Sequence, residues 1–395
     1  MAGPNISVGV DEFTLVLQST SINDMELNEW GEKVGDMLMD FLGKSRIEVL
    51  FGPLEQAIGK LQAGYTYGLT YADKPWHFMI AWHDTYVKMG VCVRFSAYAY
   101  ASYKQAYKEK YQTELNIATF LRMIQSDKYT TRLSRIDLTA DYFDYPDPVI
   151  SGKYLAPDSI YNRLLDGIYK IKNHKEKSTI KTFSAIHKDG AYETFYAGTK
   201  KGKTDGFLRC YDKKEEQIQT HGFRFQEAEK YKSWVRFEAV FKHNYAHQIS
   251  DQLLKKSTNG NYIIQTEADL QQAIAKHIVD KYCFYDMEKD EPETFSEDLA
   301  AIAAGAQVDA LSRPNARDNS LQQSINYLRT NSGLFSTFYK VYVIWGVTGE
   351  KKLLEHLEEQ YAKFRDKEAP EKPDIQNWLW KHYSSLYNTN LEDSF

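Results

Sequence analysis

The sequence predicts an α+β protein: mainly antiparallel sheet, in one piece or more, from two related α/β halves with flanking helices, then a mainly helical C-terminal region. Three observations carry this. Segments of apolar–polar alternation recur between residues 9 and 242, the signature of strands with one buried face. The order strand, helix, several strands, helix occurs twice. From about residue 245 apolar residues fall instead at helical spacing. The division that follows is 1–130, 131–244 and 245–395.

In the first half, residues 9–17 read as an opening strand. Leu27, Val34, Leu38 and Phe41 set a helix over 24–42. Short strands are expected at 63–71 and 76–82, and a longer one over 91–100, where Val91, Val93, Phe95 and Ala97 alternate with polar neighbours. Leu115, Ile117, Phe120, Leu121 and Ile124 make 114–125 a helix.

The second half opens on 132–143, the most regular alternation in the chain. Ile136, Leu138 and Ala140 lie on one side; Arg135, Asp137, Thr139 and Asp141 lie on the other. Pro146 and Pro148 forbid further pairing. A helix starts at Pro157-Asp158-Ser159, with Ile160, Leu164, Ile168 and Ile171 on one stripe. Strands follow at 179–187, 192–198 and 206–212, then a helix at 213–219 and a strand at 234–241. Helices are expected near 245–256, 266–282, 319–330, 333–346, 350–366 and 374–388, with 286–317 as an acidic, loop-rich connection.

Composition narrows the class. No apolar run approaches the ~20 residues that a bilayer span needs, and nothing near the N-terminus resembles a signal peptide. Cys92, Cys210 and Cys283 form neither a disulfide framework nor a zinc pattern. A cytoplasmic protein without a membrane association is expected. Net charge is -5, yet residues 163–242 hold 18 Lys and Arg against 11 Asp and Glu. A basic middle in an acidic chain can bind a polyanion locally.

That basic segment overlaps a possible site. If strands 132–143, 206–212 and 234–241 are sheet neighbours, Asp137, Asp141, Glu238 and Tyr211 converge on one patch. Three carboxylates beside a phenol make a metal site beside a nucleophile. Arg209 and Lys213 are placed to steady a phosphate or to favour the tyrosinate, and either could equally be an outer-face charge. The loop carrying Lys200, Lys201 and Lys203 lacks the strand-to-helix spacing of a P-loop. It reads as a hairpin tip touching DNA backbone or as a solvated turn. Lys214 and Arg236 complete the expected DNA-binding set.

Four blocks in order carry a resemblance: residues 9–15; Arg135-Ile136-Asp137-Leu138-Thr139-Ala140-Asp141; Phe195-Tyr196-Ala197-Gly198-Thr199-Lys200 followed by Leu208-Arg209-Cys210-Tyr211-Asp212-Lys213-Lys214; and Val235-Arg236-Phe237-Glu238. The chain resembles the rolling-circle replication initiators of the staphylococcal plasmid type and the related relaxases of integrative conjugative elements. The resemblance spans about residues 8–245, with a fainter echo at 320–346. Cys210 stands where an aliphatic residue is expected. The resemblance implies that Tyr211 is the nucleophile that nicks one DNA strand, leaving a 5′-phosphotyrosyl link and a free 3′-OH. It implies Mg²⁺ or Mn²⁺ on Asp137 and Glu238, with Asp141 less securely placed. It also implies a homodimer acting on an origin hairpin that presents single-stranded DNA. A host helicase is a further partner to expect. A conjugative relaxase acting at a transfer origin, and an origin-binding protein with a silent site, remain alternatives at this point.

Overall fold

The computed structural model describes residues 5–20, 29–58, 61, 64–173, 178–188, 190–200, 204–312, 321, 324–325, 328 and 332–386. Two compact units divide the chain, Met1–Ser312 and Arg313–Phe395.

Both expected halves of the first unit share a single ten-stranded sheet. The first half contributes β1 (Ile6–Ser19), β2 (Glu55–Gln56), β3 (Tyr67–Thr70), β4 (Phe78–Trp82) and β5 (Val91–Phe95). The second begins with β6 (Tyr129–Phe143) and, after β7 (Tyr169–Asn173) and β8 (Ser178–Thr179), adds β9 (Phe183–Lys188), β10 (Ala191–Ala197), β11 (Gly206–Asp212) and β12 (Trp234–Lys242). The sheet order is β2-β3-β4-β5-β1-β6-β12-β11-β10-β9, with antiparallel neighbours throughout. Each half is thus a long strand followed by a four-strand meander whose last member returns beside it. The long strands β1 and β6 pair at the centre. A four-stranded sheet joins β7 and β8 to β13 (Cys283–Asp286) and β14 (Glu291–Pro292).

The helices of this unit are α1 (Trp30–Ser45), α2 (Ile47–Phe51), α3 (Ala97–Tyr111), α4 (Ile117–Met123), α5 (Pro157–Leu165), α6 (Lys213–Thr220), α7 (Phe225–Ala228), α8 (His243–Leu253), α9 (Glu267–Lys281) and α10 (Thr294–Ile302). The apolar face of β6 and β12 supplies Ile136, Leu138, Ala140, Phe237, Ala239 and Phe241 to the core, all buried. Helices α8 and α9 pack on β6. Phe237 meets Tyr142, Phe284 and Phe295 at ring separations of 5.0, 5.4 and 5.5 Å. Each such ring contributes about 1.5–3 kcal/mol by leaving water. That packing holds residues 245–312 to the sheet, so the separation between units falls after Ser312 rather than at the expected 244/245.

Three local expectations differ from the structure. The strand expected over 91–100 ends at Phe95, because Ser96 caps α3 by accepting a hydrogen bond from the Ala99 N–H at 3.3 Å. Ile171 belongs to β7 and not to the helix before it. The acidic 286–317 connection holds β14 and α10. In the second unit, α11 (Leu334–Lys363) runs through both expected helices, with Gly346 non-helical at φ 62°, ψ -161° where they were expected to separate. It is followed by α12 (Pro373–Leu386). Among the described residues no helix is long and apolar enough to cross a membrane.

Candidate active site

The register brings the expected strands side by side. Across β6 and β12, Asp141 opposes Arg236, Thr139 opposes Glu238 and Asp137 opposes Val240. Across β12 and β11, Arg236 opposes Tyr211 and Glu238 opposes Arg209. Because alternate residues share a face, the polar side of the sheet gathers Asp137, Thr139, Asp141, Arg236, Glu238, Arg209 and Tyr211. Two residues arrive from β1 by a different route. Val10 pairs with Leu138 and Phe13 with Ile136, so Asp11 and Glu12 together oppose Asp137. This β-bulge turns both carboxylates toward the polar face: Asp11 reaches Arg236 and Glu12 reaches Arg94 and Arg135.

Tyr211 lies at the heart of one cluster. Its side chain is buried, and its hydroxyl donates to Glu238 Oε2 at 3.0 Å. Arg209 Nη2 donates to that same oxygen at 2.6 Å and stands 3.5 Å from the Tyr211 oxygen. Its guanidinium lies 4.5 Å from the phenol centroid. Arg209 Nε is buried with no hydrogen-bond partner, leaving one donor uncommitted. Burial, and then the Glu238 carboxylate, push the Tyr211 phenol well above its usual range, against the pull of Arg236 and Arg209. The resting hydroxyl therefore keeps its proton and shares it with Glu238.

A second cluster lies beside it. Asp141 accepts from Trp234 Nε1 at 2.7 Å and from Arg236 Nε and Nη2 at 2.7 and 2.8 Å. Arg236 Nη1 reaches Asp11 at 2.7 Å, and Arg224 stands 3.5 Å from Asp141. Burial raises the Asp11 carboxyl, but Arg236 and Lys213 outweigh it and hold the group below its usual range. Asp137 accepts both bonds of Arg135, at 2.8 and 2.6 Å. Even so its carboxyl is pushed up to about 7, by burial first, with Arg135 opposing and Glu238 and Glu12 adding repulsion.

One comparison decides the family. A family model described as replication initiation factor matches residues 131–342. The chain belongs to that family. The match contains β11, β12 and all but the first two residues of β6, the strands that carry Tyr211, Arg209, Glu238, Asp137 and Asp141, and agrees with the resemblance read from the sequence. A solved structure titled rolling circle replication initiator protein, from Geobacillus stearothermophilus, is similar at 14% identity over 78% of this chain and 100% of that one, with a TM-score of 0.47. No curated protein matches.

Within this family member the expected residues separate by environment. Tyr211, Arg209 and Glu238 are in mutual contact. Lys213 is buried, pairs with Glu216 at 2.8 Å and lies 5.6 Å from the phenol centroid. Asp141 departs from the expected ligand role, since both its oxygens are consumed by Arg236 and Trp234. Arg236, expected on DNA, is 1% exposed and spans Asp11 and Asp141; a phosphate cannot reach it. Lys214, also expected on DNA, donates to the Tyr231 carbonyl at 2.6 Å and ties α6 to the start of β12. Lys200 lies 3.4 Å from the centroid of Tyr196. Lys201 and Lys203 lie outside the described residues.

The expected cation does not fit the carboxylates as they are placed. Among the described residues no group of three or more His, Cys, Asp or Glu side chains is positioned to hold one. Asp137 is taken by Arg135 and Glu238 by Arg209 and Tyr211. Asp11 and Glu12 were not among the residues expected here. Only the bulge reveals them, and a run of two acids inside an otherwise regular strand was its one trace in the sequence.

Proposed function

We propose that the chain is a cytoplasmic DNA strand transferase that nicks and religates origin DNA through Tyr211, beginning rolling-circle replication of a plasmid or other mobile element. The observation that carries this is the contact of the Tyr211 hydroxyl with Glu238 under the guanidinium of Arg209, in a chain of the replication initiation factor family.

The contacts suit an in-line attack on a phosphodiester. Tyr211 Oη attacks phosphorus while its proton passes to Glu238 Oε2, the group it already bonds. The P–O3′ bond breaks, the departing oxygen takes a proton from water to become the free 3′-OH, and the 5′ side stays on the tyrosine. Arg209, whose side chain is 36% exposed, can offer its outer guanidinium N–H groups to a non-bridging oxygen, where negative charge concentrates. Run backwards, the same groups reseal the strand, with Glu238 returning the proton to Tyr211. The covalent link conserves the energy of the broken ester. Asp137 and Glu238 spend their oxygens on Arg135, Arg209 and Tyr211, so no step is routed through the Mg²⁺ or Mn²⁺ that the resemblance implies. A homodimer on an origin hairpin and a helicase partner belong to the same reading.

The test uses supercoiled origin plasmid or hairpin oligonucleotides with Mn²⁺. Wild type should yield a denaturant-resistant DNA adduct that mass spectrometry places on Tyr211. Tyr211→Phe should bind the same DNA and form no adduct. Normal nicking by that variant sinks the assignment.

A further inference from the structure

The cavity at the open edge of β1 has no part in the chemistry above. From Phe13 to Leu17, β1 is paired on both sides; from Ile6 to Val10, among the described residues, it pairs with β6 alone. The free edge, with its backbone donors and acceptors, forms one wall of a cavity of about 410 Å³ closed by α3, α4 and α9. Phe223 and Arg224 complete it from the turn between α6 and α7. That volume lies in the range of small-molecule sites, roughly 300–1,000 Å³.

The lining combines the two things a nucleotide needs. One is an uncommitted cation. Arg236 is held by Asp11 and Asp141, and Arg224 by Glu227 and Asp141, while Glu267 accepts from Asn116 Nδ2 at 2.9 Å. Lys104 has no carboxylate in salt-bridge range among the described residues; its ammonium lies 4.8 Å from the Tyr100 centroid. The other is an aromatic platform. Phe223 is 37% exposed, lines the cavity, and stacks on Tyr98 with centroids 4.6 Å apart and planes 7° apart. Stacked aromatics at a surface take bases in single strands.

We propose that this cavity receives one extruded base of the single DNA strand being cut, stacked at Phe223 and hydrogen-bonded by the free β1 edge, with the adjoining phosphate on Lys104. The inference rests on the strand-transfer reading and deepens it by naming a base-reading subsite. Arg236 lines the cavity and is also the register partner of Tyr211 across β12 and β11. Three inter-strand steps at about 4.8 Å separate the β1 edge from the Tyr211 strand, so the extruded base lies within a few nucleotides of the cut. A strand held at both points is fixed in register against the nucleophile.

The test uses full-length Tyr211→Phe, so that no cleavage competes, and oligothymidylate carrying one 5-iododeoxyuridine. Near-ultraviolet crosslinking followed by peptide mass spectrometry should place adducts on Phe223 or Tyr100. In fluorescence anisotropy, Phe223→Ala should weaken oligothymidylate binding about tenfold, with Phe223→Trp restoring it. Lys104→Ala should lower the salt dependence by about one charge. Adducts confined to residues outside the cavity overturn the proposal, as does an unchanged affinity and salt slope in Lys104→Ala. Competition by dTMP as strong as by the oligonucleotide marks a free-nucleotide site and overturns it too. Each readout is independent of cleavage, so failure of Tyr211 as nucleophile leaves this result separately visible.

Discussion

At the scale of single residues, Glu238 and Asp141 show how the same side chain on the same sheet face takes opposite roles. Glu238 shares one oxygen between a phenol and a half-exposed arginine, an arrangement that can exchange a proton. Asp141 has both oxygens locked by a buried arginine and an indole. Glu238→Gln keeps an acceptor for Arg209 and Tyr211 but removes the base. It should slow adduct formation by about 10²–10⁴, with a melting temperature close to wild type, read by gel assay and calorimetry. Asp141→Leu should instead destabilise, because it leaves Arg236 buried beside Asp11 alone; breaking a buried pair from one side costs about 3–5 kcal/mol. Adding Arg236→Met should recover much of that loss in urea denaturation. A double variant no more stable than the single one refutes the ion-pair role. The sequence already had Tyr211, Arg209 and Glu238 within one patch, because strict alternation over short strands fixes side. It misplaced Arg236 because alternation says nothing about depth: the arginine faces the correct side and is sealed there by Asp11.

At the scale of elements, the bulge in β1 decides what reaches the site. With Asp11 and Glu12 both opposite Asp137, the strand changes phase, so Val8 and Val10 can serve one face while Phe13 and Leu15 serve the same face further on. Deleting Glu12 leaves Asp11 alone opposite Asp137 and makes the ladder regular, with Val10 still opposite Leu138 and Phe13 still opposite Ile136. The deletion variant should therefore fold and unfold cooperatively in circular dichroism, while Arg94 and Arg135 lose the carboxylate they share. Loss of cooperative unfolding on deletion would show that the bulge itself is needed to hold the strand. Long strands and strongly periodic helices were legible because many positions vote together. Boundaries set by one polar contact were not. Ser96 ends β5 and starts α3 through a single hydroxyl, and the alternation of 91–97 continues past it by chance. The bulge was illegible for the same reason, since it is defined by the partner strand.

At the scale of the whole molecule, the joining of two meanders along β1 and β6 explains why residues 245–312 belong to the sheet. Helices α8 and α9 cover the apolar side exactly where the two halves meet, leaving the polar side for chemistry. His277 is the titratable group of α9 most exposed to that role. It is 3% exposed, its Nδ1 has no hydrogen-bond partner, and burial followed by the Lys276 charge lowers its pKa to about 3. It lines the same small cavity as Ile136, Leu138 and Ile249. The neutral ring is the form that fits. In the unfolded chain the same group titrates near 6.5, so below that pH the unfolded state binds the proton that the folded state refuses. Its contribution is complete above about pH 6.5 and is lost progressively as pH falls toward 3, by at most about 1.4 kcal/mol for each pH unit. Carboxylates titrate over part of the same window, so the decisive measurement is a difference. Urea unfolding of wild type and His277→Leu at pH 7 and pH 5 should give a smaller acid penalty in the variant. Equal penalties in the two proteins would mean that the imidazole accepts its proton without disturbing the packing between α9 and the central strands.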